Sequence, residues 1–203
     1  YELTIPSGQS VRTATKFDYD LTAQLEVKDG VRIQAPIPGK NLIGVEVANK
    51  TKIPVSLKSV LEVTLGKPVK PGTLMFAIGK DLEGNVIEDD LARAPHFLVA
   101  GSTGSGKSVC LNCLIISLIM RYSPEDLKLV LVDPKLNEFK AYQHLPHLAT
   151  DEIITEPQKV LTVLDWAYEE MERRNKIFSE SGSAVKEIKD YNKLIASDTV
   201  PRM

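Results

Sequence analysis

The residues Gly101-Ser-Thr-Gly-Ser-Gly-Lys-Ser108 have the types and the spacing needed to hold a polyphosphate. Phosphates must lie against a curl of backbone N–H groups, and side chains there would block them, so Gly104 and Gly106 leave room. Gly101, Ser102, Thr103, Ser105 and Val109 complete the expected cradle. A helix opening directly behind the loop adds the partial positive charge of its N-terminus. Lys107 is expected to reach the β- and γ-phosphates as the catalytic contact, and the Ser108 hydroxyl to coordinate Mg²⁺. ATP and Mg²⁺ are therefore the cofactors that the pattern implies.

Other residues compete for chemical roles. Asp133 ends the apolar run Leu129-Val-Leu-Val132, as a Mg²⁺-holding acid on a Walker B strand would. The same residue, followed by Pro134, also suits the start of a loop, and sequence leaves both readings open. His144-x-x-His147 has no Cys or further His nearby to complete a metal site, which favours a loop or packing role. Cys110 and Cys113 share one face of the expected helix at i, i+3 spacing, so buried packing is expected rather than redox chemistry. The run Glu169-Glu-Met-Glu-Arg-Arg174 reads as a solvated helix face that could also supply a functional arginine.

These residues need elements to position them. His96-Phe-Leu-Val-Ala100 is expected to be a buried strand feeding the glycine loop, and a long apolar helix should follow to about Arg121. Ser123-Pro-Glu-Asp126 reads as a turn before a second buried strand at Leu129–Val132. Thr155-Glu-Pro-Gln158 matches a capping box that would open a helix to about Glu180, with Val160, Leu164, Ala167 and Met171 on its buried face. Strand, helix, strand, helix implies a parallel sheet. The fold class is thus α/β: a P-loop core with a parallel sheet, preceded by a small α/β subdomain.

The preceding stretch offers a strand at Tyr1–Ile5, a helix at Phe17–Val27 closed by Gly30, and alternating strands around Val31–Ala35 and Ile43–Val47. A short helix near Val55–Leu61 is expected to close that unit. Gly66, Pro68, Pro71 and Gly72 break the chain between residues 63 and 73, which suits a junction, so domains of 1–66 and 67–203 are expected. Leu74–Gly79 and Val86–Ile87 then flank a hairpin turn at Asp81-Leu-Glu-Gly-Asn85.

Bulk properties exclude some classes. Charged residues at 26% and hydrophobic ones at 43% are ordinary for a soluble globular chain, so neither disorder nor a membrane protein is indicated. The formal net charge of −2 gives no general attraction to nucleic acid. Residues 1–85 hold 11 Lys+Arg against 9 Asp+Glu, and the remainder 14 against 18, so neither half is broadly basic. The longest apolar stretch, Val109–Met120, contains Asn112 and Ser117 and is too short to span a bilayer. Tyr1 is not an initiator methionine, and the chain reads as a piece of a longer protein.

A longer string carries a more specific resemblance. Pro95-His-Phe-Leu-Val-Ala-Gly-Ser-Thr-Gly-Ser-Gly-Lys-Ser-Val-Cys110 strongly resembles the motor of the FtsK/SpoIIIE family of bacterial DNA translocases. So do Val132-Asp-Pro-Lys135 with Glu138, Tyr142 and Pro146-His-Leu148, and Glu169–Arg174 with Tyr191-Asn192. Upstream, Val31-Arg-Ile-Gln-Ala-Pro-Ile-Pro-Gly-Lys40 and Gly44-Val-Glu-Val47 extend the likeness over nearly the whole chain.

The resemblance implies that residues 1–66 form the small α subdomain and residues 67–203 the beginning of the RecA-like β subdomain. It implies a homo-oligomer, a hexameric ring around double-stranded DNA, pumping it by ATP hydrolysis during chromosome segregation and cell division. The motor would be cytoplasmic, with membrane attachment only through segments outside this chain. It also implies that the Walker B acids follow a segment like Val200-Pro-Arg-Met203, which demotes Asp133 and leaves a piece that binds ATP without hydrolysing it. The competing classes are a P-loop phosphotransferase and a nucleotide-gated assembly module. DNA-stimulated ATPase activity separates the translocase from both.

Overall fold

The computed structural model describes residues 1–4, 6, 8, 10–28, 30–51, 53–94, 96–182 and 185–196. Ile5, Pro95 and Val200-Pro-Arg-Met203, which figure in the sequence expectations, lie outside the described residues. The chain divides into two compact units, Tyr1–Pro54 and Val55–Met203.

In the first unit, β1 (Glu2–Thr4), β2 (Val31–Gln34) and β3 (Leu42–Val47) form an antiparallel sheet in the order β1-β3-β2. Ile33 lies opposite Val45 and Leu3 opposite Ile43, so the alternating apolar residues of paired strands meet across the ladder. The hairpin between β2 and β3 closes through Ile37 N–H donating to Leu42 O at 2.8 Å. A short helix, α1 (Val11–Ala14), and a 3-10 turn at Thr15–Phe17 lead into α2 (Asp18–Gln24). This is shorter than the expected Phe17–Val27 helix. Glu26 adopts a left-handed backbone (φ 51°), which a continuing helix does not tolerate.

In the second unit, Ser56 caps α3 (Leu57–Thr64) by accepting the Ser59 N–H on its hydroxyl at 3.2 Å. The sequence placed this helix at the close of the first unit. It buries Val60, Leu61 and Thr64 and packs against β4 (Met75–Lys80) instead, which sets the division at Pro54 rather than within 63–73. β4 pairs antiparallel with β5 (Val86–Asp90) around the expected turn, where Asp81 accepts the Asn85 N–H.

α4 (Lys107–Ile119) is apolar on most of its circumference because it is covered on two sides. Leu118, with Tyr122, Leu127 and Phe76 of β4, forms one core. Ile115, with Leu131, Tyr142 and Ile153, forms the other.

The parallel sheet is only begun. Leu129 bridges Leu148 and Val132 bridges Ile154, both in parallel sense. The expected strand His96–Ala100 joins no ladder among the described residues, and Leu98 is 88% exposed. Phe97 nevertheless meets Phe76 edge to face at 5.7 Å, holding this segment over the hairpin.

The helix α5 (Pro157–Glu180) ends where expected but does not start on a capping box. Its cap is Glu156, extended at φ −94°, ψ 130°, with no side-chain capping bond. Proline fixes its own φ for the first helical position and pushes the preceding residue out of the helical region. Pro157 therefore sets the start, and Thr155 lies one residue too early. The face expected to be buried is largely open: Leu164 is 60% exposed and Met171 46%. α6 (Ile188–Ala196) buries Tyr191, whose ring lies 5.7 Å from that of Phe178 on α5.

Candidate phosphate-binding site

The loop reverses sharply onto α4. Ser105 N–H donates to Ser102 O at 3.1 Å, and a Cβ added to Gly101 would lie 2.3 Å from the Ser105 hydroxyl. Gly104 (φ 80°) and Gly106 (φ 94°) take left-handed conformations that side chains resist, and Gly106 is the N-cap of α4. Ser102, Thr103 and Ser105 line the exposed outer side of the turn. Lys107 and Ser108, half-buried, open the helix, while Val109 is 66% exposed.

The Lys107 ammonium folds back over the loop, donating to Gly101 O at 2.8 Å and Ser102 O at 3.4 Å. Both partners are neutral carbonyls. Among the described residues no carboxylate pairs with it, so a cation without a counter-ion faces a curl of backbone at a helix N-terminus. That donor set suits a polyanion. Ser108, next in line, carries a hydroxyl of the kind that ligates a hard cation.

Asp133 is committed elsewhere. It is 5% exposed, and its carboxylate accepts the N–H groups of Glu138 (2.8 Å), Phe139 (3.1 Å) and Lys135 (3.3 Å). Burial acts to raise its pKa, but these amides outweigh it and hold the carboxyl below the ordinary aspartate value. The bonds wrap the following loop around the side chain, and Leu136 takes a left-handed φ of 48° within it. The structure thus favours the loop reading over the metal-holding one.

The remaining candidates separate cleanly. His147 is buried, its Nε2 2.8 Å from Tyr122 O, and His144 is exposed. No metal-holding group of His, Cys, Asp and Glu occurs among the described residues. Cys113 is half-buried, and burial, then the Cys110 thiol, push its pKa up. Cys110 is exposed, which corrects the expectation that both pack inward: at the first turn of α4 none of the described residues covers it. Glu170 accepts from Arg173 Nε (2.6 Å) and Arg174 Nε (2.7 Å), and those bonds hold its pKa at about 2. Both guanidinium groups are therefore engaged on their own helix.

One connection escaped the sequence reading. Asn112 Nδ2 donates to Ser108 O at 2.8 Å, and Asn112 Oδ1 accepts the Tyr142 hydroxyl at 2.5 Å. The available signal was an amide standing inside an otherwise apolar helix, where a polar group needs partners.

Comparison with known proteins identifies the family. The sequence profile of the FtsK/SpoIIIE family matches residues 59–203, and that of the FtsK alpha domain matches residues 1–49. The DNA translocase FtsK of Clostridium tetani is 48% identical over 195 residues, covering 96% of this chain and 26% of that protein. The DNA translocase SftA of Bacillus subtilis is 40% identical over 196 residues, covering 97% of this chain and 20% of that protein. Among solved structures, the cytoplasmic domain of the Thermomonospora curvata Type VII secretion ATPase EccC superposes with a TM-score of 0.59 at 32% identity, over 75% of this chain and 20% of that one. The pCW3 conjugation coupling protein TcpA, solved as a monomer with ATPgS, gives 0.50 at 24% identity over 98% and 52%, a likeness of fold alone.

Fold and loop together place the chain among the P-loop ATPase domains. Within that class, it belongs to the FtsK/SpoIIIE family. It spans about a quarter or less of the length of these curated relatives. No helix among the described residues is long and apolar enough to cross a membrane.

Proposed function

We propose that these residues are the ATP-binding part of a motor that couples ATP hydrolysis to movement of double-stranded DNA. The observation that carries the reading is the Gly101–Ser108 loop with its unpaired Lys107 cation, set in a chain 48% identical to a named DNA translocase. In this reading Gly101, Ser102, Thr103, Gly104, Ser105, Gly106 and Val109 cradle the phosphates. Lys107 contacts the β- and γ-phosphates, and the Ser108 hydroxyl ligates Mg²⁺. A Mg²⁺ held by Ser108 there would supply positive charge against the phosphate oxygens.

Hydrolysis also needs a carboxylate to hold the metal's shell and another to orient water. Three backbone amides hold Asp133, which removes it as a candidate. In this reading both acids come from elsewhere in the parent protein, as the family resemblance implies, so that these 203 residues bind ATP without turning it over. The family resemblance implies that the motor assembles as a homo-oligomeric ring, a hexamer, around duplex DNA. A net charge of −2, which gives one subunit little hold on DNA by itself, is compatible with that. It serves chromosome segregation and cell division, as a cytoplasmic motor on a membrane-anchored parent. The FtsK alpha domain match at residues 1–49 supports a small subdomain ahead of the motor.

Phosphate release by the full-length protein, measured with and without linear duplex DNA, tests this. Strong stimulation by duplex is expected. DNA-independent transfer of the γ-phosphoryl group to a small acceptor would mark a phosphotransferase instead.

A further inference from the structure

Asn112 uses both ends of its side-chain amide. The Ser108 carbonyl can only accept, so it fixes Nδ2 toward itself and turns Oδ1 toward the Tyr142 hydroxyl. Tyr142 is 8% exposed, in the core with Ile115, Leu131 and Ile153. Burial, then the nearby Cys113 thiol, push its pKa up, so it stays an O–H donor. Tyr142 ends a turn, Lys140–Tyr142, entered through Phe139. The Phe139 N–H is one of the amides held by Asp133, and Tyr142 N–H donates to Phe139 O at 2.8 Å. Bonded steps thus run from the Asp133 loop to the backbone of Ser108.

We infer that Asn112 and Tyr142 are positioning residues for the phosphate loop, a strut that fixes the first turn of α4 so that the Lys107 ammonium and Ser108 hydroxyl meet one Mg²⁺-nucleotide together. The inference rests on the nucleotide-binding reading above. It adds that the loop's geometry is held from the Asp133 side, not by the glycines alone. Loss of the strut leaves the loop able to attract phosphate through charge but loosens the hydroxyl that meets the metal. The effect should therefore fall on the Mg²⁺-dependent part of binding, which a bond serving only core stability would not single out.

The test is titration of the full-length protein with a fluorescent ADP analogue, with Mg²⁺ and with chelator. Wild type is compared with Tyr142→Phe, Asn112→Asp, Asn112→Ala and the double variant Tyr142→Phe/Asn112→Ala. Tyr142→Phe keeps the buried ring. Asn112→Asp keeps the acceptor for Tyr142 but removes the donor to Ser108. With Mg²⁺ each single change should weaken binding about three- to tenfold, the equivalent of one net hydrogen bond. Without Mg²⁺ the affinities of wild type and the uncharged variants should stay together, whereas Asn112→Asp, whose carboxylate repels the phosphates, is compared with its own value in chelator. The double variant should be no worse than the weaker single one, because both act through the same strut. Unchanged Mg²⁺-dependent affinity alongside a lowered melting temperature would overturn the inference, as would additive losses. Failure of wild type to bind nucleotide is a separate result, since it removes the phosphate-loop reading itself.

Discussion

Asp133 and Lys107 occupy opposite electrostatic situations. The carboxylate of Asp133 is surrounded by donors from its own loop, whereas the ammonium of Lys107 rests on neutral carbonyls. Asp133→Asn puts an NH₂ group where an acceptor is required, and should lower stability by about 1–3 kcal/mol. At saturating Mg²⁺-ATP, hydrolysis by the full-length protein should fall only with the folded fraction, as denaturation and phosphate-release curves would show. Abolished turnover with unchanged stability would return Asp133 to the metal. The pH dependence has a fixed sign. The folded pKa lies below the unfolded value of 3.8, so this stabilisation is complete above that value and disappears as pH falls through the folded one. At this scale the phosphate loop was legible because glycine, lysine and serine types alone specify it. The role of Asp133 was not, because apolar strands end in aspartate both at metal sites and at loop starts. Asn112 and Tyr142 were hidden for a related reason: their contact spans 30 positions, and no local spacing encodes it.

Among the elements, α4 is fastened at both ends. Its first turn is tied to Tyr142. Just past its last turn, Arg121 pairs with Glu88 of β5 at 2.5 Å, and Glu88 also binds Lys67 at 2.5 Å. The Arg121 and Glu88 side chains are only 6% and 7% exposed. Burial acts to raise the Glu88 pKa, but its two cationic partners prevail and lower it. Glu88→Ala strands the buried Arg121 charge and should destabilise the unit by about 3–5 kcal/mol, read as a fall in the denaturation midpoint. Glu88→Gln should fall between that variant and wild type, since it keeps hydrogen-bond acceptance without the charge. Equal stability of Glu88→Ala and wild type would show that the pair is solvated. The apolar length of α4 and the hairpin around residues 81–85 were readable from pattern. The cap of α5 was misread because the Thr155–Gln158 spacing competes with Pro157, whose ring decides the start. The membership of α3 was misread because a short amphipathic helix can close either neighbour, and only the burial of Val60, Leu61 and Thr64 decides between them.

On the scale of the whole molecule, the two units carry separate profile matches, the FtsK alpha domain on residues 1–49 and the FtsK/SpoIIIE family on residues 59–203. The antiparallel first unit followed the alternation of its strands. The parallel sheet of the second is begun by the bridges Leu129–Leu148 and Val132–Ile154, in keeping with an incomplete core. The expected strand His96–Ala100 joins no ladder because it needs flanking partners that the described residues do not provide. The central claim nonetheless rests on a local loop, and Lys107→Ala addresses it most directly. A fluorescent ATP analogue is titrated against the wild-type and variant proteins, with thermal melts run beside them. Among the described residues Lys107 hydrogen-bonds only to carbonyls of its own loop, so the melts should agree. The account expects nucleotide affinity to fall at least tenfold, the loss of about 1.4 kcal/mol or more of charge-assisted contact. Equal affinity of the two proteins, with the fold intact in both, would contradict it.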